Sequence, residues 1–217
     1  MRVDKDTLIF GSFAKKAGNN GCKMFNAAFN YYRLNALYKS FSVDNIEDAV
    51  KSARILNFSG FAITMPFKKD VIKYVDELDD SVVEIGSANT VVNNNGILKA
   101  YNTDYMAAKE MLYDYFQNTP HHKLVILGDG GYSVSVQYSA ILMGLDFKVV
   151  NRQNWNDINK IKNSVVFNCT SVSNIDIHES NDYIDCLITT ETGKKLSLIQ
   201  AGYQFKLYTG LDFPIKN

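Results

Sequence analysis

KLVILGDGGYS, residues 123–133, runs a short continuous apolar segment straight into a glycine-rich turn and then into a helix-forming stretch. A strand buried on both faces of a parallel sheet reads as such a run. Gly128 suits the tight turn and Gly130 the close approach of a pyrophosphate, and Ser133 stands where a dinucleotide turn has its third small residue. Phosphates would sit against the N-terminus of the following helix, expected from about Tyr132 to Met143 with Gly144 closing it. A purely structural strand-to-helix turn would use glycine as well, so the motif alone leaves both readings open. Working outward, FKVVN (147–151), SVVFNCT (164–170) and YIDCLIT (183–189) read as further apolar strands. Strands alternating with helices predict a mostly parallel sheet.

The end of the second of these strands bears on the cofactor. An NAD-type turn usually has an acidic residue there for the ribose 2′-hydroxyl, whereas this chain has Asn151-Arg152. A guanidinium suits a 2′-phosphate, so the residues favour NADP(H), with a solvated loop arginine as the alternative. Asp129 and Tyr132 argue the other way, one adding negative charge and the other bulk at the helix start. Residues 123–189 hold about four strands, little more than one of the two halves of a full dinucleotide fold.

Upstream, a strand is expected at Thr7–Phe10, then a polar loop, and helices over about Lys23–Tyr38 and Ser42–Asn57. The second helix would turn Ile46, Ala49, Val50, Ala53 and Leu56 inward. ITMPFKK (63–69) reads as a strand passing into a helix over 66–78, with Val71, Ile72, Val75 and Leu78 inward. Lys68 would then lie in a first helical turn, against the helix dipole, as though something other than helix stability placed it. SANTVVNNNGILKAYN reads as a hairpin turning at Asn95-Gly96. A helix follows from about Thr103 to Phe116, then a polar linker, Gln117–Lys123. A last helix would align Leu196, Ile199, Tyr203 and Leu207.

Lys68 and Asp104 form a candidate acid/base pair, the lysine donating a proton to a carbonyl oxygen and the carboxylate orienting it or relaying protons. Asp104 has a second reading as a first-turn acid behind a cap at Asn102 or Thr103. Asn89-Thr90 offers candidate hydroxyl-binding groups and also fits a strand, Thr64 fits its strand on propensity alone, and Gln200 on the last helix reads as an exposed amide.

Lys+Arg and Asp+Glu both number 23, which gives no support to nucleic acid or an anionic membrane as a partner. Three widely spaced cysteines without a CxxC pair argue against disulfides and zinc and fit a reducing cytoplasm. The charged start does not read as a signal peptide, and no apolar run reaches membrane-spanning length.

Together these segments resemble the shikimate dehydrogenase family. The likeness runs through MFNAAF (24–29), LNALY (34–38), GFAITMPFK (60–68), DELDD (76–80), IGSANTVV (85–92) and NGILKAYNTD (95–104). It continues in LGDGG (127–131), VNR (150–152), NCTS (168–171) and LIQAGYQFKLYTG (198–210). The resemblance implies an α/β fold: an N-terminal α/β substrate domain over 1–104, with a C-terminal helix (194–217) packing back onto it, plus a reduced Rossmann-like parallel-sheet NADP-binding domain over 105–193. It implies NADP-dependent hydride transfer on a shikimate- or quinate-like cyclic polyol in the cytoplasm, by a monomer or homodimer. A non-catalytic homologue that binds a small ligand or nucleotide is the alternative. By position, Lys68 and Asp104 match the catalytic pair, and Thr64, Asn89 and Gln200 match hydroxyl-binding residues. Gly128, Gly130, Gly131, Asn151 and Arg152 match cofactor residues. The family's SxSP motif, whose serines bind the substrate carboxylate, falls on Asn19, Asn20, Gly21 and Cys22, so Asn19 and Gly21 replace both serines. Lys15 or Lys16 is a candidate replacement cation, the strand-starting asparagine is Ala62, and the family segment after NCTS is largely absent.

Overall fold

The computed structural model describes residues 3–118 and 123–214, so residues 119–122, within the expected linker, lie outside it. The chain divides into two compact units, Met1–Thr103 with Ala201–Asn217, and Asp104–Gln200.

The first unit contains β1 (Leu8–Ala14), α1 (Asn20–Tyr31), β2 (Ala36–Ser42), α2 (Ile46–Ile55), β3 (Gly60–Ile63), β4 (Glu77–Leu78), α3 (Asp80–Ile85), β5 (Thr90–Asn94) and β6 (Ile97–Tyr101). Its six-stranded sheet is ordered β2-β1-β3-β5-β6-β4. β1 is parallel to β2 and β3, whereas β5 is antiparallel to β3 and β6. The sheet is therefore mixed. Phe13, Val50, Phe61 and Val91 are buried on one side, and Phe10, Phe25, Phe29 and Tyr38 on the other.

Several expected elements change. The helix expected to reach Tyr38 ends at Tyr31, because Arg33 takes a left-handed φ of 54° and the Leu34 amide turns back to Phe29 O. No glycine marks that stop. The residues beyond it alternate instead, with Ala36 and Tyr38 buried, and form β2. Asn45 caps α2, its side chain accepting from the Glu47 amide at 2.8 Å. Leu56, expected inward, is exposed because the helix has already ended there. No α-helix covers 66–78. Successive tight turns run from Thr64 to Tyr74, Val71–Lys73 makes one 3-10 turn, and Leu78 is exposed in β4. The hairpin forms as read, Asn95 and Gly96 both taking positive φ in a two-residue loop.

Asp76 ties this unit's edges together. It accepts from Arg54 at 2.9 and 3.1 Å and from the Leu98 amide at 2.7 Å. Hydrogen bonding to Arg54, then to Leu98, holds its carboxyl below the usual aspartate range. A depressed folded pKa gives stability that is present above the unfolded value of about 3.9 and lost as pH falls through the folded value. With solvent screening, Asp76→Ala should cost about 1 kcal/mol at pH 7. Thermal melts of both proteins at pH 7 and pH 3 test this. A difference that does not shrink in acid contradicts it.

The second unit contains α4 (Asp104–Asn118), β7 (Lys123–Leu127), α5 (Gly131–Leu142), β8 (Phe147–Val150), a 3-10 turn (Trp155–Lys160), β9 (Ser164–Asn168), β10 (Asp182–Asp185) and the start of α6 (Glu191–Thr209). Its four strands, ordered β10-β9-β7-β8, are all parallel. α4, α5 and Leu196 of α6 cover one face, while the other carries the 3-10 turn and loop residues Ile175 and Ile177. This is the reduced parallel sheet expected from the sequence. The last strand stops at Asp185, short of the expected 189. Thr192 Oγ1 accepts from the Asp185 amide at 2.9 Å and draws the chain into α6. On α6, the buried residues of the later turns are Ala201, Gln204 and Phe205 rather than Tyr203 and Leu207.

Candidate active site

In the first unit the strand order reverses at β1, with β2 on one side and β3 on the other, and ligands of open α/β sheets collect at such points. Thr64 leaves β3 there, exposed, its amide donating to Phe13 O at 3.1 Å. Buried Phe67 anchors the next turn, and half-buried Lys68 follows. The Lys68 carbonyl accepts from the Ala88 amide at 2.8 Å, and the Ile63 amide donates to Asn89 O at 2.8 Å. Main-chain bonds therefore bring Thr64, Lys68 and Asn89 together. Without an α-helix over 66–78, no helix dipole opposes Lys68, and that argument from the sequence falls. Turn geometry places the lysine instead.

Asn89 sits in a fully buried polar network. Its Oδ1 accepts from the Thr103 amide at 2.8 Å and the Thr90 hydroxyl at 2.9 Å, and its Nδ2 donates to Thr103 Oγ1 at 3.0 Å. Gln204 Nε2 donates to Thr90 Oγ1 at 2.9 Å and to Asn89 O at 3.2 Å. Thr90 and Thr103 were singled out from sequence, one as a hydroxyl-binding group and the other as a helix cap, whereas Gln204 was not. The available signal was a glutamine one turn after Gln200 in a stretch otherwise read for its apolar residues. Gln200 itself is half-buried.

Asn19 is exposed and is the N-cap residue of α1, though its side chain makes no capping bond. A Cβ on Gly21 would stand 3.0 Å from the Tyr38 ring and 3.3 Å from its hydroxyl, so Tyr38 occupies the space beside that position. Burial pushes the Tyr38 phenol well above its ordinary range. Ser12 and Ser40 share a hydrogen bond at 3.0 Å, and Cys22 Sγ donates to Ser40 Oγ at 3.3 Å. Lys15, a candidate replacement cation, is held by Asp44 at 2.6 Å.

In the second unit, Asp104 opens α4 and is buried, a favourable end for a carboxylate. The strand order reverses at β7, and Gly128 lies at its carboxyl end. Gly128 has φ +101°, and a Cβ there would stand 2.8 Å from the Thr170 methyl, so only glycine fits. Its amide donates to Val150 O at 2.7 Å, setting the turn beside Asn151 and Arg152. Asn151 Oδ1 accepts from the Gln153 amide at 2.9 Å, and Arg152 is exposed.

Nothing lies within 4 Å of a Cβ built on Gly130 or Gly131, so the start of α5 opens onto space. An uncrowded glycine turn at the N-terminus of a twelve-residue helix suits a phosphate. Asp129 is exposed. Tyr132 packs its ring with Phe167 at 6.3 Å, alongside Cys169 and Cys186, and leaves the glycines uncovered. Burial pushes its phenol well above the ordinary range, with Asp104 adding to the effect. The small residue packed under the helix is Ser133, donating to Gly128 O at 2.7 Å. Burial also raises the Cys169 thiol, so it is no ready nucleophile. Among the described residues no cluster could hold a metal ion, and no helix is long and apolar enough to cross a membrane.

A family model for the shikimate dehydrogenase substrate binding domain matches residues 20–91. A shikimate dehydrogenase-like protein of Haemophilus influenzae is 37% identical over 134 residues, 62% of this chain and 49% of that one. A shikimate dehydrogenase (NADP(+)) of Caldanaerobacter subterraneus is 30% identical over 197 residues, 88% of this chain and 70% of that one. This chain thus spans about half the length of the Haemophilus protein. A solved shikimate 5-dehydrogenase-like protein superimposes with a TM-score of 0.86 at 26% identity, covering 99% of this chain and 96% of that one.

Proposed function

The chain belongs to the shikimate dehydrogenase family, and from that premise we propose that it is an NADP-dependent oxidoreductase acting on a shikimate- or quinate-like cyclic polyol. The observation that carries this reading is the main-chain bond from the Ala88 amide to the Lys68 carbonyl at 2.8 Å. It sets a half-buried lysine beside Asn89, whose amide a buried network holds in one orientation. NADP, when bound, supplies or accepts the hydride.

Lys68 as an ammonium gives its proton to the substrate's carbonyl oxygen as its carbon takes the hydride, and takes a proton back from the hydroxyl during oxidation. Such a placed acid is worth about 10²–10⁴ in rate. Asp104 is assigned the partner role of orienting the lysine or relaying its proton. Thr64, Asn89 and Gln200 are assigned to ring hydroxyls, and Asn19 to the substrate's far end. Gly128, Gly130 and Gly131 would admit the pyrophosphate, with Asn151 and Arg152 at the adenosine ribose. Three free cysteines suit a reducing cytoplasm. The open glycine turn and the inward Tyr132 ring support cofactor binding.

The far end of the site lacks the serine hydroxyls that would hold a carboxylate. Asn19 and Gly21 bring no hydroxyls, Tyr38 fills the space beside Gly21, and Lys15 is engaged by Asp44. A carboxamide analogue should therefore lose less than about threefold in kcat/KM relative to shikimate, under 1 kcal/mol. The test follows NADP⁺ reduction with shikimate, quinate and their carboxamides, in wild type and Arg152→Ala. The variant should raise KM for NADP⁺ about tenfold and leave NAD⁺ nearly unchanged. No turnover on any of these substrates, together with no NADPH binding at millimolar concentration, would leave the non-catalytic reading standing.

A further inference from the structure

The loop that leaves β8 is closed by side chains as well as by main chain. The Asn154 amide donates to Asn151 O at 3.3 Å, which makes residues 151–154 a single turn. The Asn151 amide can only donate, so the Asn154 atom 2.7 Å from it is the side-chain oxygen. Asn154 Nδ2 then donates to Val149 O at 3.4 Å, and Asn151 Oδ1 accepts from the Gln153 amide at 2.9 Å. The strand end itself is fixed to the glycine turn, because Val150 O accepts from the Gly128 amide at 2.7 Å. Arg152 occupies the second position of the turn and is exposed, whereas Asn154 is half-buried. The next acid along the chain, Asp157, is held by Lys148 at 3.2 Å and Lys160 at 3.0 Å. The loop therefore presents a guanidinium, on a turn of fixed shape, beside the glycine turn.

We infer that Asn154 is a positioning residue for the cofactor's 2′-phosphate, holding the turn that aims Arg152 at it. The inference rests on the reading of Arg152 as a residue at the adenosine ribose. Asn154 acts through the turn and need not touch the cofactor. A long arginine side chain on a loose turn spreads its guanidinium over many positions, and ordering it on binding is unfavourable. A turn already closed lowers that penalty for a ligand with a 2′-phosphate and changes nothing for one without it. Selectivity for the phosphorylated cofactor thereby depends on a neutral side chain as well as on the cation.

The test measures, by titration calorimetry, the binding of adenosine 2′,5′-bisphosphate and adenosine 5′-monophosphate to wild type, Asn154→Ala, Arg152→Ala and the double variant. Asn154→Ala should weaken the bisphosphate about three- to tenfold, as loss of one hydrogen bond would, and leave the monophosphate within about twofold. In the Arg152→Ala background the same substitution should change neither ligand further, because the two residues act as one unit. Asn154→Asp keeps the oxygen that accepts from the Asn151 amide and adds a negative charge. Its deficit relative to wild type should therefore shrink as salt is raised from about 0.05 to about 0.5 M, whereas that of Asn154→Ala persists. Equal losses for both ligands in Asn154→Ala mark a merely structural role and overturn the inference. An undiminished effect in the absence of Arg152 overturns it as well. Either result leaves the proposed function intact, provided that wild type prefers the bisphosphate. Wild type without that preference overturns the NADP reading, and the inference falls with it.

Discussion

Lys68→Ala is expected to fold, to bind NADPH like wild type, and to turn over about 10²–10⁴ times more slowly. The side chain is half-buried, and its tight turn is held by main-chain bonds and by the buried Phe67 ring, none of which the substitution removes. Loss of the ammonium removes the proton donor for the carbonyl oxygen being reduced to a hydroxyl, so the deficit falls on kcat. Lys68→Arg separates charge from proton transfer. Guanidinium keeps the positive charge but does not release a proton near neutral pH, so this variant should remain close to Lys68→Ala. Steady-state kinetics give the first quantity, NADPH fluorescence titration the second, and a thermal melt shows that the fold persists. Full turnover in Lys68→Ala would remove the lysine from the mechanism. Arginine restoring the rate would reduce its role to electrostatics.

Gly193→Val should cost the second unit about 3 kcal/mol, through strain rather than lost contacts. A Cβ on Gly193 would collide with the main-chain carbonyl oxygen of Leu187. That oxygen cannot easily yield. It accepts from the Thr190 amide at 2.9 Å and from the Thr190 hydroxyl at 2.7 Å, and the same hydroxyl oxygen accepts from the Gly193 amide at 3.1 Å. The collision arises where the chain passes from β10 to α6 in five residues, leaving no slack to absorb it. For a chain of this size the expected fall in Tm is about 6–12 °C. Calorimetry should show the loss. A melting point within about 2 °C of wild type would mean that the loop can move aside, contrary to the bonds that hold it.

The residues that could be read from sequence are those whose constraint is local. Asn95-Gly96 both need positive φ, and a two-residue hairpin supplies it. Gly128 after an apolar run marks a strand-to-helix turn because the backbone there tolerates no side chain. The second strand was hidden because α1 stops at Tyr31, two residues before Arg33, an ordinary residue in a left-handed conformation, and no glycine marks the end. Lys68 was found for a reason that did not hold: its helix is absent, and a chain of tight turns puts it beside Asn89. Gln204 could not be found by periodicity. A buried amide on a helix has no sequence signature unless its partners are known, and those partners lie in a distant strand. The residues that carry charge were legible; those that hold them in place were not.

The sixth helix also sets an order of events. Ala201 and Phe205 are buried among Phe10, Phe25 and Phe29, so the first sheet receives part of its aromatic cover only from residues made after the whole second unit. During synthesis that cluster must wait, exposed, while some hundred further residues emerge from the ribosome. Such surface invites association between nascent chains. The first unit is thus the earlier to be translated and the later to be finished, and a stalled or clipped product is open to aggregation and proteolysis from the moment it is made.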